Sequence, residues 1–241
     1  MTTECNSVQL EFHTLGKREV TGKFDGGRIT SDGGGILLRE VEHRLGILKR
    51  LSDCFTDYRD PDLTEHDIGS LIKQRVYGIA LGYEDLNDHD QLRQDSLLAL
   101  LCEKHDVTGA NRLRERDKGK ALAGKSTLNR LELAPADTNS KNRYKKIVAD
   151  TAAMDTLLTD CFLEAHPSPP EEIILDVDAT DDLIHGQQEG RFFHGYYRHY
   201  CYLPLYIFCG EHLLCARLRS ANQDGAAGTV DELTQIVSRV R

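Results

Sequence analysis

Ile173-Ile174-Leu175-Asp176-Val177-Asp178-Ala179-Thr180-Asp181-Asp182 joins an apolar run to four aspartates. The pattern predicts a buried strand that ends in acid. On a strand, Asp176 and Asp178 stand two positions apart and share one face. Asp181 and Asp182 follow where the strand should have ended. Carboxylates are rarely buried unless they are paired or bound to metal. At a strand end they suit a hard cation such as Mg²⁺, which takes a few carboxylate oxygens and keeps several waters. Two such ions can activate an attacking oxygen and stabilise a leaving one in phosphodiester chemistry. One strand does not supply a full octahedral set. The competing reading of the same residues is a strand-to-loop turn with one structural aspartate.

Downstream, residues 185–200 interleave His185, His194 and His199 with Arg191, Arg198 and three tyrosines. Such side chains suit phosphates and stacked bases. They equally suit a β-hairpin with aromatic cross-strand pairs. The histidines have no zinc-like spacing with cysteine. Residues 202–209 and 212–219 read as two strands joined by a tight Gly210-Glu211 turn. Residues 229–241 read as a helix capped by Thr229, with Leu233, Ile236, Val237 and Val240 inward.

Upstream, His166-Pro167-Ser168-Pro169-Pro170 marks the clearest boundary, because proline ends a helix and stiffens a connector. It divides the chain into residues 1–165, mainly helical, and 171–241. Residues 141–164 read as one amphipathic helix. Lys141, Arg143, Lys145 and Lys146 at its start oppose the helix dipole, so they read as phosphate contacts or as a solvated face. Residues 125–132 and 94–104 read as short helices, and 109–120 as a charged surface loop. Residues 64–82 form a strong helix pattern with Thr64 as cap. Residues 84–90 include an Asp88-His89-Asp90 triplet; a self-capping, solvated turn is preferred there over a metal site. Ser31 or Asp32 reads as the cap of a helix reaching about residue 51, with positions 37, 38, 41, 45 and 48 on one apolar face. The Gly33-Gly34-Gly35 triplet lacks the Lys-Ser/Thr ending of a phosphate loop. Residues 8–30 read as a hairpin or an ordered arm.

The 241 residues suffice for one large or two modest domains. Hydrophobic residues at 39% and charged residues at 29% give an ordinary globular balance. The absence of Trp and the 7% aromatic content argue against a carbohydrate-binding or aromatic-cage protein. A net charge of −9 argues against a nucleic-acid binder overall, although a local basic patch is compatible with it. Seven scattered cysteines with no CxxC pair read as reduced thiols rather than a disulfide framework or a zinc ribbon. There is no signal-peptide pattern and no apolar run long enough to span a membrane, which predicts a soluble protein.

Several motifs together resemble the DDE transposases of bacterial insertion sequences. They are residues 175–182, His185-Gly186-Gln187-Gln188-Glu189-Gly190, Phe193-His194-Gly195-Tyr196-Tyr197 and 202–210. More narrowly, the chain is similar to the group 1 DDE transposase domain, in the insertion-sequence family termed "thirteen-eighty". The resemblance extends to Thr30-Ser31-Asp32-Gly33-Gly34, to residues 75–90 and to residues 126–132. It implies an α+β protein, with a helical DNA-binding and dimerisation region followed by the start of a ribonuclease-H-like mixed sheet. It implies an Asp-Asp-Glu set holding two Mg²⁺ or Mn²⁺ ions that cuts and joins DNA strands. The first acid of such enzymes sits in Asp-x-Thr, which makes Asp178 of Asp178-Ala179-Thr180 the first choice as catalytic residue and metal ligand. Asp176 is the alternative ligand. Arg191, His194, Tyr197, Arg198, Lys145 and Lys146 become candidate DNA contacts. The implied partners are terminal inverted repeats, target DNA and a second copy of the chain, in the bacterial cytoplasm at the nucleoid. The second Asp and the Glu are expected after residue 241, so the chain reads as a truncated form, inactive alone. The alternatives are a DNA-binding remnant that inhibits the full enzyme, or an unrelated metal-dependent nuclease or phosphatase.

Overall fold

The computed structural model describes residues 9–23, 32–135 and 137–241. They combine helices with small antiparallel sheets, an α+β protein. Ser31 and most of the glycine-broken arm after residue 23 lie outside the described residues. The chain divides into two compact units, Met1–Asp150 and Thr151–Arg241. This division is earlier than the proline connector, so the helix before the prolines goes with the second unit.

The first unit opens with a hairpin of β1 (Leu10–Leu15) and β2 (Arg18–Gly22), turned at Gly16-Lys17. Helix α1 (Gly35–Leu45) then runs to Gly46, whose left-handed backbone (φ 63°) breaks the helix. The Glu42 carboxylate accepts the Leu48 and Lys49 amides at 2.7 and 3.0 Å and so starts α2 (Ile47–Asp53). The single helix expected to residue 51 is therefore two. Leu37, Leu38, Val41 and Leu45 share an exposed face, while Arg39 is 1% exposed. Arg39 is matched rather than stranded. It donates to Glu103 Oε1 at 2.7 Å and to the His13 carbonyl at 2.8 Å, tying α1 to the hairpin.

A short strand β3 (Phe55–Asp57) precedes α3 (Ile68–Ala80). The cap of α3 is Asp67, whose Oδ1 accepts the Ser70 amide at 2.7 Å, and not Thr64. Thr64 instead closes the preceding turn by donating to the Asp60 carbonyl. Two short helices follow, α4 (His89–Leu92) and α5 (Ser96–Leu101), the latter capped by Asp95. Asp85 caps its own turn as the sequence suggests, but His89 is fully buried rather than solvated. The Gln74 amide in α3 donates to His89 Nδ1 at 3.1 Å and to the Ala123 carbonyl at 2.8 Å, and accepts the Ala123 amide at 3.0 Å. Helix α6 (Lys125–Glu132) begins just beyond this clamp. Leu71, Leu101, Leu122, Leu128 and β4 (Ile147–Ala149) close the core, with β4 antiparallel to β3. Residues 141–146 are not helical, so the expected long helix starts only at Thr151.

In the second unit, α7 (Thr151–Ala165) leads to β5 (Asp176–Ala179), β6 (Asp182–Leu183), β7 (Phe192–His194) and β8 (His199–Tyr202). The unit ends with β9 (Leu205–Cys209), β10 (His212–Arg217) and α8 (Thr229–Val240). One sheet has the order β10-β9-β5 and the other β6-β8-β7, all antiparallel. Phe162 of α7, Leu205 and Ile207 of β9, Leu214 of β10 and Ile236 of α8 form the core. The Gly210-Glu211 turn stands as expected, but Leu203-Pro204 splits residues 202–209, placing Tyr202 in β8. Gly228, left-handed and without a side-chain cap, precedes α8 in place of the expected Thr229 cap.

Two further expectations are corrected. Residues 173–175 are not strand, Ile174 is 72% exposed, and β5 is an exposed edge strand with β9 on one side only. Ile173 and Leu175 still pack partly on the core, which accounts for the apolar pattern. Among the described residues six cysteines are free thiols, and no helix is long and apolar enough to cross a membrane.

Candidate functional site

Strand β5 presents Asp176 and Asp178 on one face, about 6.6 Å apart along the strand at the usual rise of ~3.3 Å per residue. Both are exposed. Asp178 stands opposite Tyr206 and Asp176 opposite Phe208 in the register with β9. Where the chain leaves β5, Asp181 turns toward the neighbouring hairpin, and its Oδ2 lies 2.6 Å from His199 Nε2. The Tyr197 ring packs between His194 and His199, with centroids 4.8 and 6.0 Å away. Burial and the Asp181 and Asp178 carboxylates push the Tyr197 phenol above its usual range. It therefore keeps its proton at neutral pH and remains a donor beside two acids.

A loop after β10 borders the end of β5. A Cβ at Gly225 would lie 3.6 Å from the Ala179 side chain. Arg219 fixes this loop, donating to the Leu203 carbonyl at 2.9 Å, the Gly225 carbonyl at 3.1 Å and the Ala227 carbonyl. Sequence reasoning passed over Arg219, which reads only as the end of a strand. It also passed over the Asp181–His199 pair, since both residues belong to recognised runs but nothing in their spacing joins them.

The other candidates are unevenly placed. The strands β7 and β8 form the aromatic hairpin, with Phe193 opposite Tyr200 and rings edge-on at 5.5 Å. Arg191 is engaged internally, donating to the Gly186 carbonyl at 2.6 Å and lying 4.6 Å from the Tyr200 ring centroid. The buried His194 Nδ1 has no hydrogen-bond partner among the described residues. Arg198 is exposed in the turn at φ 61°, its amide bonded to the His194 carbonyl at 2.8 Å. Lys145 and Lys146 belong to the first unit, just before β4.

Asp176 and Asp178 offer hard oxygen donors of the kind a divalent ion takes at a strand end. Among the described residues no group of three or more His, Cys, Asp or Glu side chains is placed to hold an ion. A sequence model of the family described as transposase DDE domain, group 1, matches residues 12–241. The chain belongs to that family. The match covers both units and does not single out one insertion-sequence family. No curated protein and no solved structure matches the chain. A DDE transposase is a polynucleotidyl-transferase type of enzyme that acts on DNA and generally uses divalent metal ions.

Proposed function

We propose that Asp178 is the first acid of a DDE site and that β5 opens a ribonuclease-H-like core. The observation that carries this reading is an exposed carboxylate in Asp178-Ala179-Thr180, at the end of a sheet strand, in a chain of this family. The antiparallel order β10-β9-β5, followed by α8, supports the core assignment. Asp176, on the same face, is the alternative ligand. A bound Mg²⁺ or Mn²⁺ pair would supply charge stabilisation for the attacking and leaving oxygens of a phosphodiester. Asp178 and Asp176 would hold oxygen ligands in place, and the Tyr197 phenol and the Asp181–His199 pair would shape the floor beside them. Arg191, His194, Tyr197 and Arg198 of the hairpin, with Lys145 and Lys146 of the first unit, are the DNA contacts of this reading. Two copies would act together on the terminal repeats and target DNA.

Mn²⁺ binding followed by electron paramagnetic resonance tests the assignment. Asp178→Asn should abolish the bound-ion signal, and Asp176→Asn should weaken it less. An Asp178→Asn variant that binds Mn²⁺ like its parent sinks the catalytic assignment. Duplex binding with no Mg²⁺-dependent cleavage would instead favour a non-catalytic DNA-binding protein that inhibits the transposase.

A further inference from the structure

A cleft of about 550 Å³ opens in the first unit between the start of α6, the 112–117 loop and the segment before β4. Eight cationic side chains and four carboxylates line it, a local excess of positive charge in a chain of net charge −9. The carboxylates are already committed. Glu65 binds Arg112 at 3.0 Å, Asp117 binds Arg93 at 3.0 Å, Asp90 faces Lys125 at 3.3 Å, and Asp60 caps its own turn. Arg114, Arg130, Arg143 and Lys146 have no carboxylate at ion-pair distance among the described residues.

Three further features point to an anion. His66 lines the cleft, is only 6% exposed, and has no hydrogen-bond partner at either ring nitrogen among the described residues. A buried donor left in that state is costly unless a ligand accepts its proton. Helix α6 directs its N-terminus here; Gly124 offers no side-chain cap and the first turn has no acid of its own, although Asp90 Oδ1 accepts the Lys125 amide at 3.2 Å. Ser126 and Thr127 of that turn also line the cleft. Such a terminus favours negative charge. Finally, the exposed Tyr144 ring holds the guanidinium groups of Arg143 and Arg130 at 4.9 and 5.6 Å from its centroid. It offers a flat face beside them, as in nucleic-acid grooves.

We propose that this cleft holds the phosphate backbone of duplex DNA, with His66 and the start of α6 seating one phosphate and Arg114, Arg130, Arg143 and Lys146 following its neighbours. Four cations without a carboxylate partner among the described residues match a polymer with one charge per ~1.7 Å of axis better than they match a lone anion. The choice of DNA rests on the transposase reading; the anion site rests on the cleft itself.

Fluorescence anisotropy with a labelled duplex of about 30 base pairs, over a salt series, tests the proposal. The Arg130→Ala/Arg143→Ala double variant changes exposed side chains only and should keep the parent's melting temperature. It should weaken binding about tenfold or more and lower the salt slope by about two. His66→Phe, checked by melting, should weaken binding with little change of slope. Parent-like affinity and slope in the double variant overturn the proposal, as does a parent chain that does not bind the duplex. Inorganic phosphate binding the parent while the duplex fails to compete overturns DNA as the ligand. Mn²⁺ binding by the parent and by Asp178→Asn is measured in parallel. Asp178-dependent ion binding with unaltered DNA affinity in the double variant removes the cleft and leaves the catalytic reading. The reverse pattern does the opposite.

Discussion

His199 Nε2 lies 2.6 Å from Asp181 Oδ2, a side-chain contact between the β7–β8 hairpin and the turn that leaves the aspartate strand. The same turn is also held by the backbone, where the Ile184 amide donates to the Tyr200 carbonyl at 3.0 Å. His199→Ala should therefore loosen the turn without unfolding the unit. Amide exchange at Ile184 should speed up by roughly tenfold, which corresponds to the loss of about 1.4 kcal/mol, while Ile207 in the central strand keeps its protection. Unchanged exchange at Ile184 would show that the backbone pairing alone fixes the turn.

Arg219 spans three carbonyls with three separate nitrogens of its planar guanidinium, a spread that the single nitrogen of a lysine does not reproduce. Arg219→Lys should leave two of the carbonyls without their donor and destabilise the second unit by about 1–3 kcal/mol. Chemical denaturation read out in that unit checks it. A lysine variant as stable as the parent would mean that water replaces the lost bonds at no cost.

Gln74 and Gly78 hold one side of the same buried histidine. Gln74→Leu removes the donor to His89 and both partners of Ala123, so about 2–4 kcal/mol should be lost from the first unit. Gly78→Ala acts sterically: an added Cβ would stand 2.9 Å from the His89 ring, so ring or helix must shift, at about 1–3 kcal/mol. Denaturant midpoints of the two variants check both values. A Gly78→Ala chain more stable than its parent would show that the ring moves freely, against the packing described.

Acid should weaken the first unit before carboxylate titration is complete. Burial, with Lys104 and Arg112 nearby, pushes His66 from its usual 6.5 down to about 3. Burial, with Arg75 nearby, lowers His89 as well. A folded-state value below the unfolded one means that the unfolded chain takes up more protons in the interval between them. The contribution of His66 is thus complete above about pH 6.5 and is lost as pH falls toward about 3. Melting temperature followed from pH 7 to 4 should decline, and His66→Phe should flatten the decline. An unchanged slope in that variant would assign the acid sensitivity elsewhere.

Local pattern was legible where a short segment settles its own conformation. The helix at 125–132, the Gly210-Glu211 turn and the two aspartates of β5 could be read directly, because helical spacing, turn chemistry and alternation act over a few residues. The family resemblance was legible for a related reason: its motifs are contiguous. Basic residues at 141–146 were noted, but reading them as a helix start missed the extended segment that places Arg143 and Lys146 in the cleft.

The sequence by itself determined that a strand lies in the aspartate run, that a tight turn joins the last two strands and that short helices precede them, since each is encoded by neighbours in the chain. Only the tertiary structure decided that β5 lies at a sheet edge, that Arg39 and His89 are buried while Leu37 and Leu45 are exposed, and that Arg114, Arg130 and Arg143 line one cleft with His66. Burial and charge pairing depend on which distant segments pack together. Apolar spacing along one helix identifies a face, but the partner that covers it, or a buried arginine bonded to Glu103, lies many residues away.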